Sequence, residues 1–222
     1  MKIPLEYEDI IDNKFYKWSD ELSPFFKEYN FTPNKITTLG LLSTLVMIYL
    51  IFKGHCQLAA IFYIVAYFFD CMDGCFARKY KMTSKYGDYY EHIVDWIRNI
   101  ALVLMIVYSC KCNNRITPII VLITLFVIAN IKQAYQDKYY KLRTGRNETE
   151  SLDFLQKIVS PPNDLEELEN GLKKLKYAGW GVFTITAAFF LFSCDDLKID
   201  ISDSFESIKK SLGFGETEEM KK

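Results

Sequence analysis

The sequence predicts an all-α fold, a polytopic bundle of membrane helices with five spans. Hydrophobic residues make up 50% of the 222 positions and charged residues 25%, and the two kinds occupy different stretches of the chain. Long apolar runs that alternate with polar segments are typical of spans joined by loops in water. The net charge of −1 gives no reason to expect a nucleic-acid partner.

Residues 1–32 precede the first span and mix aromatic with charged side chains, as in Phe15, Tyr16, Lys17 and Trp18. Aromatic and basic residues on one helix favour the headgroup boundary of a bilayer. We therefore expect an interfacial, amphipathic segment. A solvated helix packed on the rest of the protein fits the same pattern.

The membrane domain is expected at residues 33–194. Its predicted spans lie at 36–52, 57–69, 88–109, 116–131 and 177–194, and the third of them carries polar residues in its first turns. A span needs about 20 residues, so the second helix must continue through Asp70 and Asp73, which places these acids near the membrane boundary.

The polar segments after the fourth run differ in charge. Residues 132–146 predict a basic helical extension, and residues 147–176 are acidic. Within the acidic segment, an amphipathic helix outside the bilayer is predicted by the spacing of Leu165, Leu168, Leu172 and Leu175. Residues 195–222 form a charged C-terminal tail.

Four carboxylates recur at helical spacing where the second and third spans meet water. Asp70 and Asp73 are three residues apart, and Glu91 and Asp95 are four apart, so each pair projects from one helix face. Clustered carboxylates repel one another unless cations compensate them, and their hard oxygens suit Mg²⁺, Mn²⁺ or Ca²⁺. The residue types therefore predict a divalent-metal site.

The residues around these acids suit a diphosphate held through such cations. Arg78 offers a planar fork of donors, and Gly74 and Gly87 let the backbone approach phosphate oxygens. The segment has no G-K-[ST], which excludes a Walker A loop. Breaking a phosphoanhydride with an alcohol needs a base and cations on the leaving phosphate, and the four acids can fill both roles.

The same residues resemble the signature of the CDP-alcohol phosphotransferases, also called CDP-alcohol phosphatidyltransferases, D-x2-D-G-x2-A-R-x8-G-x3-D-x3-D. Every spacing is kept, and the matching residues are Asp70, Asp73, Gly74, Ala77, Arg78, Gly87 and Asp95. The third acid is Glu91, where the family has aspartate. The stretch from Phe31 to Gly40 is similar to the P-N-x-I-T-x-x-G segment that opens the first membrane helix of the family.

The resemblance implies a six-helix core and a reaction in which an alcohol attacks a CDP-linked donor, CMP leaves and a phosphodiester lipid forms. Mg²⁺ or Mn²⁺ would be held by Asp70, Asp73 and Glu91, with Asp95 as base or further ligand. The nucleotide and diphosphate pocket would be shaped by Gly74, Ala77, Arg78 and Gly87.

His92 lies between Glu91 and Asp95, and this order is similar to the D-H-x-x-D of the choline and ethanolamine phosphotransferase branch. The imidazole is either a catalytic base or a helix-end group bonded to a neighbouring acid. Asp88 falls on the same face and either supports the site or is a solvated acid near a helix N-terminus.

The function indicated is a membrane phosphotransferase of phospholipid synthesis. The I-T-x-x-G segment and His92 favour CDP-choline or CDP-ethanolamine with diacylglycerol, which is the first expectation. The short chain favours the alternative, CDP-diacylglycerol with a polar alcohol. A catalytically silent scaffold and a metal-binding channel or transporter are the other classes. The expected partners are the CDP-linked donor, the alcohol acceptor and membrane lipids, with a homodimer as one assembly to test. Basic residues from Arg78 to Lys85 predict an active site facing the cytosol.

Overall fold

The computed structural model describes residues 3–109, 116–145 and 153–193, and every regular element within these ranges is a helix. In chain order the helices are α1 (Ile10–Glu28), α2 (Pro33–Phe52), α3 (Cys56–Lys79), α4 (Lys85–Ser109), α5 (Ile116–Thr144), α6 (Asp153–Val159), α7 (Leu165–Leu175) and α8 (Trp180–Phe192). The predicted all-α membrane bundle is confirmed. The tail at 195–222 lies outside the described residues.

Among the described residues, 4 segments have the length and hydropathy to cross a membrane: Pro33–Phe52, Cys56–Lys79, Ile116–Thr144 and Leu165–Phe192. The first three are α2, α3 and α5, and the fourth joins α7 to α8. α3 continues through Asp70 and Asp73, as the shortness of its apolar run requires. The remaining predicted span, at 88–109, coincides with α4, whose residues 104–109 lie outside the part of the chain described at side-chain level.

α1 packs on α3 by one face and leaves apolar side chains on the other. Its N-terminus is capped by Asp9, whose Oδ1 accepts from the backbone N–H groups of Ile11 at 2.8 Å and Asp12 at 2.7 Å. Phe15 is buried against Tyr67, with ring centroids 5.8 Å apart. The outer face exposes Trp18, Leu22 and Phe25. The helix is therefore packed on the protein and also carries the apolar outer face that an interfacial helix requires.

α3 lies at the centre of the bundle and contacts α1, α2 and α8. Gly54 takes a φ of +79° in the turn that returns the chain from α2 to α3. Small side chains then let the helices approach closely, including the buried Ala59, Ala60 and Ala66 on α3 and Ala187 and Ala188 on α8. This packing fixes the end of α3, where Asp70 and Asp73 lie.

The chain after α5 folds back onto that helix. Gly145, with a φ of +67°, follows α5. Helices α6 and α7 both pack against α5. α7 is amphipathic, as predicted, and it buries Leu168 and Leu172 completely. Its N-cap is Asp164, which accepts from the backbone N–H of Glu167 at 3.0 Å.

Candidate active site

The four predicted acids lie around one cavity, at the end of α3 and the beginning of α4. The cavity has a volume of about 860 Å³, and its lining includes Asp70, Asp73, Glu91 and Asp95. We call these four residues the acid quartet. Two helix ends thus bring together carboxylates that are 25 positions apart at most, between Asp70 and Asp95.

Asp73 is held by α2. The hydroxyl of Thr37 donates to Asp73 Oδ2 at 2.5 Å, and the Asp73 side chain is almost fully buried. The other carboxylate oxygen, Oδ1, is buried without a hydrogen-bond partner. A buried carboxylate oxygen without a donor is costly, and a bound cation would compensate it. The donor set of the acid quartet therefore fits a divalent metal.

Arg98 is a site residue that sequence reasoning missed. It lies one turn beyond Asp95 on α4, and its Nη2 is 2.7 Å from Asp95 Oδ1 and 3.5 Å from Asp70 Oδ2. The guanidinium is only 4% exposed and lies over the ring of Tyr67, 5.6 Å from its centroid. The available signal was a lone arginine in an apolar run at i, i+3 from a predicted ligand.

The acid quartet does not form a ready ligand shell. Over the described ranges, no three His, Cys, Asp or Glu side chains converge closely enough to hold a metal ion. Thr37 and Arg98 each engage an oxygen of the group. Metal binding would therefore need side-chain rearrangement within the cavity.

The other signature residues line the same cavity: Gly74, Ala77, Arg78 and Gly87. A Cβ on Gly74 would lie 3.2 Å from Arg78 Nη1, so glycine leaves room for that guanidinium. A Cβ on Gly87 would lie 3.0 Å from Ser84 Oγ and 3.2 Å from Asn34 Oδ1. Asn34 belongs to the second, N-terminal segment of the resemblance, so the two segments meet at this wall.

His92 and Asp88 also line the cavity. The Nδ1 atom of His92 lies 2.7 Å from the backbone carbonyl oxygen of Asp88 and 3.7 Å from Asp88 Oδ1. The imidazole thus bonds to the backbone of its own helix. Its part in the reaction stays a prediction.

A second polar wall completes the cavity, and sequence reasoning missed it. It consists of Glu8, Asp12, Tyr16, Asn130, Gln133 and Gln136, which we call the polar annex. Its residues recur every four positions near the start of α1 and every three positions on α5, so they form two facing stripes. The spacing on α5 was the signal that could have been used.

The polar annex is bonded internally. Glu8 Oε1 accepts from Lys132 Nζ at 2.6 Å and from Gln136 Nε2 at 3.0 Å. Trp180 of α8 donates from Nε1 to Gln133 Oε1 at 2.7 Å. Lys132 is only 2% exposed, so this ion pair is buried. A Cβ on Gly181 would lie 2.6 Å from Asp12 Oδ1, which explains the glycine in the first turn of α8.

The acidity of two annex residues, Asp12 and Tyr16, is suppressed. Burial, with the charges of Asp9 and Glu8, raises the pKa of Asp12 well above its ordinary range. Burial, with the charges of Glu8 and Asp12, likewise raises the pKa of Tyr16. Asp12 Oδ1 accepts from the hydroxyl of Tyr67 at 2.6 Å, and Tyr67 in turn lies under Arg98. Tyr67 and Arg98 therefore connect the annex to the acid quartet.

Comparison with known proteins agrees with this geometry. The family model described as CDP-alcohol phosphatidyltransferase matches residues 30–147. An archaetidylinositol phosphate synthase of Pyrococcus horikoshii is 32% identical over 71 residues, which are 32% of this chain and 38% of the relative. The match thus spans well under half of that relative, and no solved structure matches the chain. With the family model matching more than half of its residues, the chain belongs to the CDP-alcohol phosphatidyltransferase family.

Proposed function

We propose that this protein is a membrane phosphotransferase of phospholipid synthesis that transfers a phosphoryl-linked group from a CDP-linked donor to an alcohol. The observation that carries the proposal is the shared cavity, which is lined by the acid quartet and by all the other signature residues. The family indicates a transferase, and the apolar helices indicate an integral membrane protein. Substrate identity and metal dependence are parts of the proposal.

The proposed cofactor is Mg²⁺ or Mn²⁺, held by the acid quartet. Carboxylate oxygens are the ligands that these hard cations prefer. The buried Oδ1 of Asp73, which has no partner, supports such an ion. When bound, the metal would neutralise the donor diphosphate and the charge that develops on departing CMP.

The protein's own residues would orient the reactants and move the proton. The acceptor hydroxyl gives its proton to the Asp95 carboxylate while its oxygen bonds to the phosphorus remote from cytidine. The anhydride P–O bond breaks, and CMP leaves with the electron pair. Arg98 orients Asp95 through the 2.7 Å contact, and Arg78 would face the diphosphate. His92 is the second candidate base.

Two substrate classes remain from the sequence. The order around His92 favours CDP-choline or CDP-ethanolamine with diacylglycerol. The polar annex favours CDP-diacylglycerol with a polar alcohol, because a buried wall of amides and carboxylates suits a headgroup better than it suits diacylglycerol. A relative named for archaetidylinositol phosphate synthesis supports the second class. We therefore place CDP-diacylglycerol first. The apolar Ile100, Val103 and Phe126 at the cavity wall suit acyl chains in either class.

The silent-scaffold alternative depends on Glu91 and on the family span that the sequence lacks. This residue lines the cavity with the other three acids and keeps their charge, so the substitution retains an oxygen ligand. The proposal further places the site on the cytosolic face, because Arg78, Lys79, Lys81 and Lys85 surround the α3–α4 loop. A homodimer stays a prediction.

The experiment that tests the function is a product assay. Purified protein in lipid receives Mg²⁺ or Mn²⁺ and radiolabelled CDP-diacylglycerol, CDP-choline or CDP-ethanolamine, each with a set of alcohols. We expect CMP release and a lipid product with CDP-diacylglycerol, and loss of both with a chelator. Folded protein that yields no product with any donor would establish the scaffold instead.

A further inference from the structure

Arg98 bridges the two helices that carry the acid quartet. It extends from α4, which packs against α2, and its Nη2 lies 2.7 Å from Asp95 on its own helix and 3.5 Å from Asp70 on α3. An arginine side chain has many rotamers, and contacts through one nitrogen leave the plane of the guanidinium free to turn. A further contact must fix that plane if Asp95 is to stay in one place.

The ring of Tyr67 supplies this contact. Tyr67 lies one turn before Asp70 on α3, and the guanidinium of Arg98 is 5.6 Å from its ring centroid. A guanidinium within about 6 Å of an aromatic face is attracted to it, more strongly where water is excluded. The orientation of the ring therefore influences the orientation of Arg98.

α1 holds the ring in turn by two contacts. The hydroxyl of Tyr67 donates to Asp12 Oδ1 at 2.6 Å, and Phe15 packs on the ring with the centroids 5.8 Å apart. Asp12 is itself fixed, because its backbone N–H donates to Asp9 and its side chain lies against Gly181 of α8. A line of contacts thus runs from α1 through Tyr67 and Arg98 to the predicted base.

This line of contacts begins outside the family segment. Asp12 precedes residue 30, where the family match begins, and Tyr67 is not a residue of the signature. A buried hydroxyl needs a partner, so the bond to Asp12 contributes to stability in any case. What a structural bond alone would not require is the next contact, because Tyr67 also bears the guanidinium that holds Asp95.

We infer that Asp12 and Tyr67 are positioning residues, which hold the guanidinium of Arg98 and through it the Asp95 carboxylate. Neither takes part in the bond changes. This inference rests on the proposed function, since Asp95 is the base of that reaction. It makes α1 necessary for the reaction, because misplacing a reacting group by about 1 Å can cost about 100-fold in rate.

The kinetic test removes the bond from either end. Tyr67→Phe keeps the ring over Arg98 and removes the hydroxyl, and Asp12→Ala removes the acceptor. Each should lower kcat for CMP release at least fivefold while both KM values stay within twofold. The double variant should lose no more than either single variant, since both break the same bond. Asp12→Asn, which can still accept from Tyr67, should recover most of the kcat that Asp12→Ala loses. A change in KM alone overturns the inference.

The control is Tyr7→Phe. Tyr7 is as buried as Tyr67, each being 4% exposed, and it does not line the cavity. Loss of its hydroxyl should leave kcat within twofold, whatever its effect on Tm. If kcat instead follows Tm in the same way for Tyr67→Phe and Tyr7→Phe, the bond to Asp12 is structural only and the inference is overturned.

A second measurement needs no turnover. In protein labelled with ¹⁵N at arginine, a guanidinium that is held exchanges its two Nη signals slowly, and Arg98→Lys assigns the signals of Arg98 by their loss. We expect slow exchange in the wild type and in Asp12→Asn, and exchange at least tenfold faster in Tyr67→Phe and Asp12→Ala. Fast exchange at Arg98 in the wild type overturns the inference.

The two measurements separate this inference from the proposed function. If no donor releases CMP but the exchange at Arg98 is slow in the wild type and faster in Tyr67→Phe and Asp12→Ala, the reaction is wrong and the positioning of Arg98 stands. If CMP is released but the exchange is the same in the wild type and both variants, the reaction stands and the positioning is wrong.

Discussion

The acid quartet and the polar annex line one cavity but balance their charges differently. The quartet has four carboxylates against Arg98, and one buried oxygen of Asp73 has no partner. The annex has Glu8 paired with Lys132, and its other polar groups are three amides, the phenol of Tyr16 and the carboxyl of Asp12, whose pKa is raised. The quartet therefore needs positive charge from a bound cation, whereas the negative charge of Glu8 in the annex is compensated by Lys132 of the protein itself.

The difference predicts opposite costs for mutation. Removing the charge of Asp73, which has no basic partner, relieves repulsion that the fold tolerates for function, so activity falls while stability is kept. Removing one member of the buried pair in the annex leaves an unpaired charge, so stability falls. When stability and activity are measured on the same variants, those in the quartet should lose activity and those in the buried pair of the annex should lose stability.

The largest expected effect is on the buried pair. Lys132→Met leaves the Glu8 carboxylate without its cation, and breaking a buried ion pair in this way costs about 3–5 kcal/mol. We expect the free energy of unfolding in mixed micelles to fall by that amount. Glu8→Gln added to Lys132→Met should recover most of the loss, because the Glu8 charge that lost its cation is then removed.

The matched control is the pair between Lys79 and Asp20, which are 2.7 Å apart with Asp20 71% exposed. Lys79→Met should cost less than about 1 kcal/mol, since exposed pairs contribute little. Equal losses from Lys132→Met and Lys79→Met would show that the annex pair is not buried in the protein in lipid.

The next effect is on activity at the acid quartet. Asp73→Asn keeps the volume and can still accept from Thr37, but it removes an anionic metal ligand. We expect kcat/KM to fall at least 100-fold, about 3 kcal/mol of transition-state stabilisation. The free energy of unfolding should be unchanged or higher. Unchanged turnover and Mn²⁺ affinity would remove Asp73 from the site.

The quartet was predictable from sequence and the annex was not, for a physical reason. Asp70, Asp73, Glu91 and Asp95 lie on two helix ends joined by a short loop, so helical spacing alone places them near one another. Glu8 and Lys132 are 124 residues apart and meet only through the packing of α1 on α3 and of α8 on α5. Local spacing carries no information about such contacts.

The sequence also could not show which side chains contact the four acids. The prediction of a shared pocket did not include Arg98, whose contacts with Asp70 and Asp95 depend on the rotation of α4. The helices themselves were predictable because apolar runs, the Gly54 turn and the capping residues are local features. The amphipathic spacing of α7 was likewise read correctly, with Leu168 and Leu172 in its buried face.

A smaller effect is expected where the chain departs from the family signature. Glu91→Asp should retain Mn²⁺ binding and change kcat/KM by less than about tenfold, because the charge of the quartet is unchanged. Glu91→Gln should lose at least about tenfold in both, because the charge is removed. An inactive natural protein that gains activity as Glu91→Asp would establish the scaffold, and an active protein indifferent to Glu91→Gln would exclude Glu91 from the site.

The smallest effect concerns the pH dependence of the annex. Burial and the neighbouring Asp9 and Glu8 raise the pKa of Asp12 in the folded protein, whereas the unfolded chain has an ordinary carboxyl pKa of about 3.9. The folded state therefore binds this proton more tightly. Its contribution to stability is complete below about pH 3.9 and is lost as the pH rises through the raised folded pKa.

Asp12→Asn should remove this dependence while keeping a side chain that can accept from Tyr67. We expect the Tm of the wild type to fall relative to that of Asp12→Asn as the pH rises above 4, with the two curves parallel once Asp12 is ionised in both states. The phenol of Tyr16, whose pKa is also raised, does not titrate in this range. Asp20→Asn serves as the exposed control and should track the wild type. A wild-type Tm that instead falls relative to that of Asp12→Asn as the pH is lowered would mean that Asp12 is charged in the folded protein, and the annex would then need an external cation as the acid quartet does.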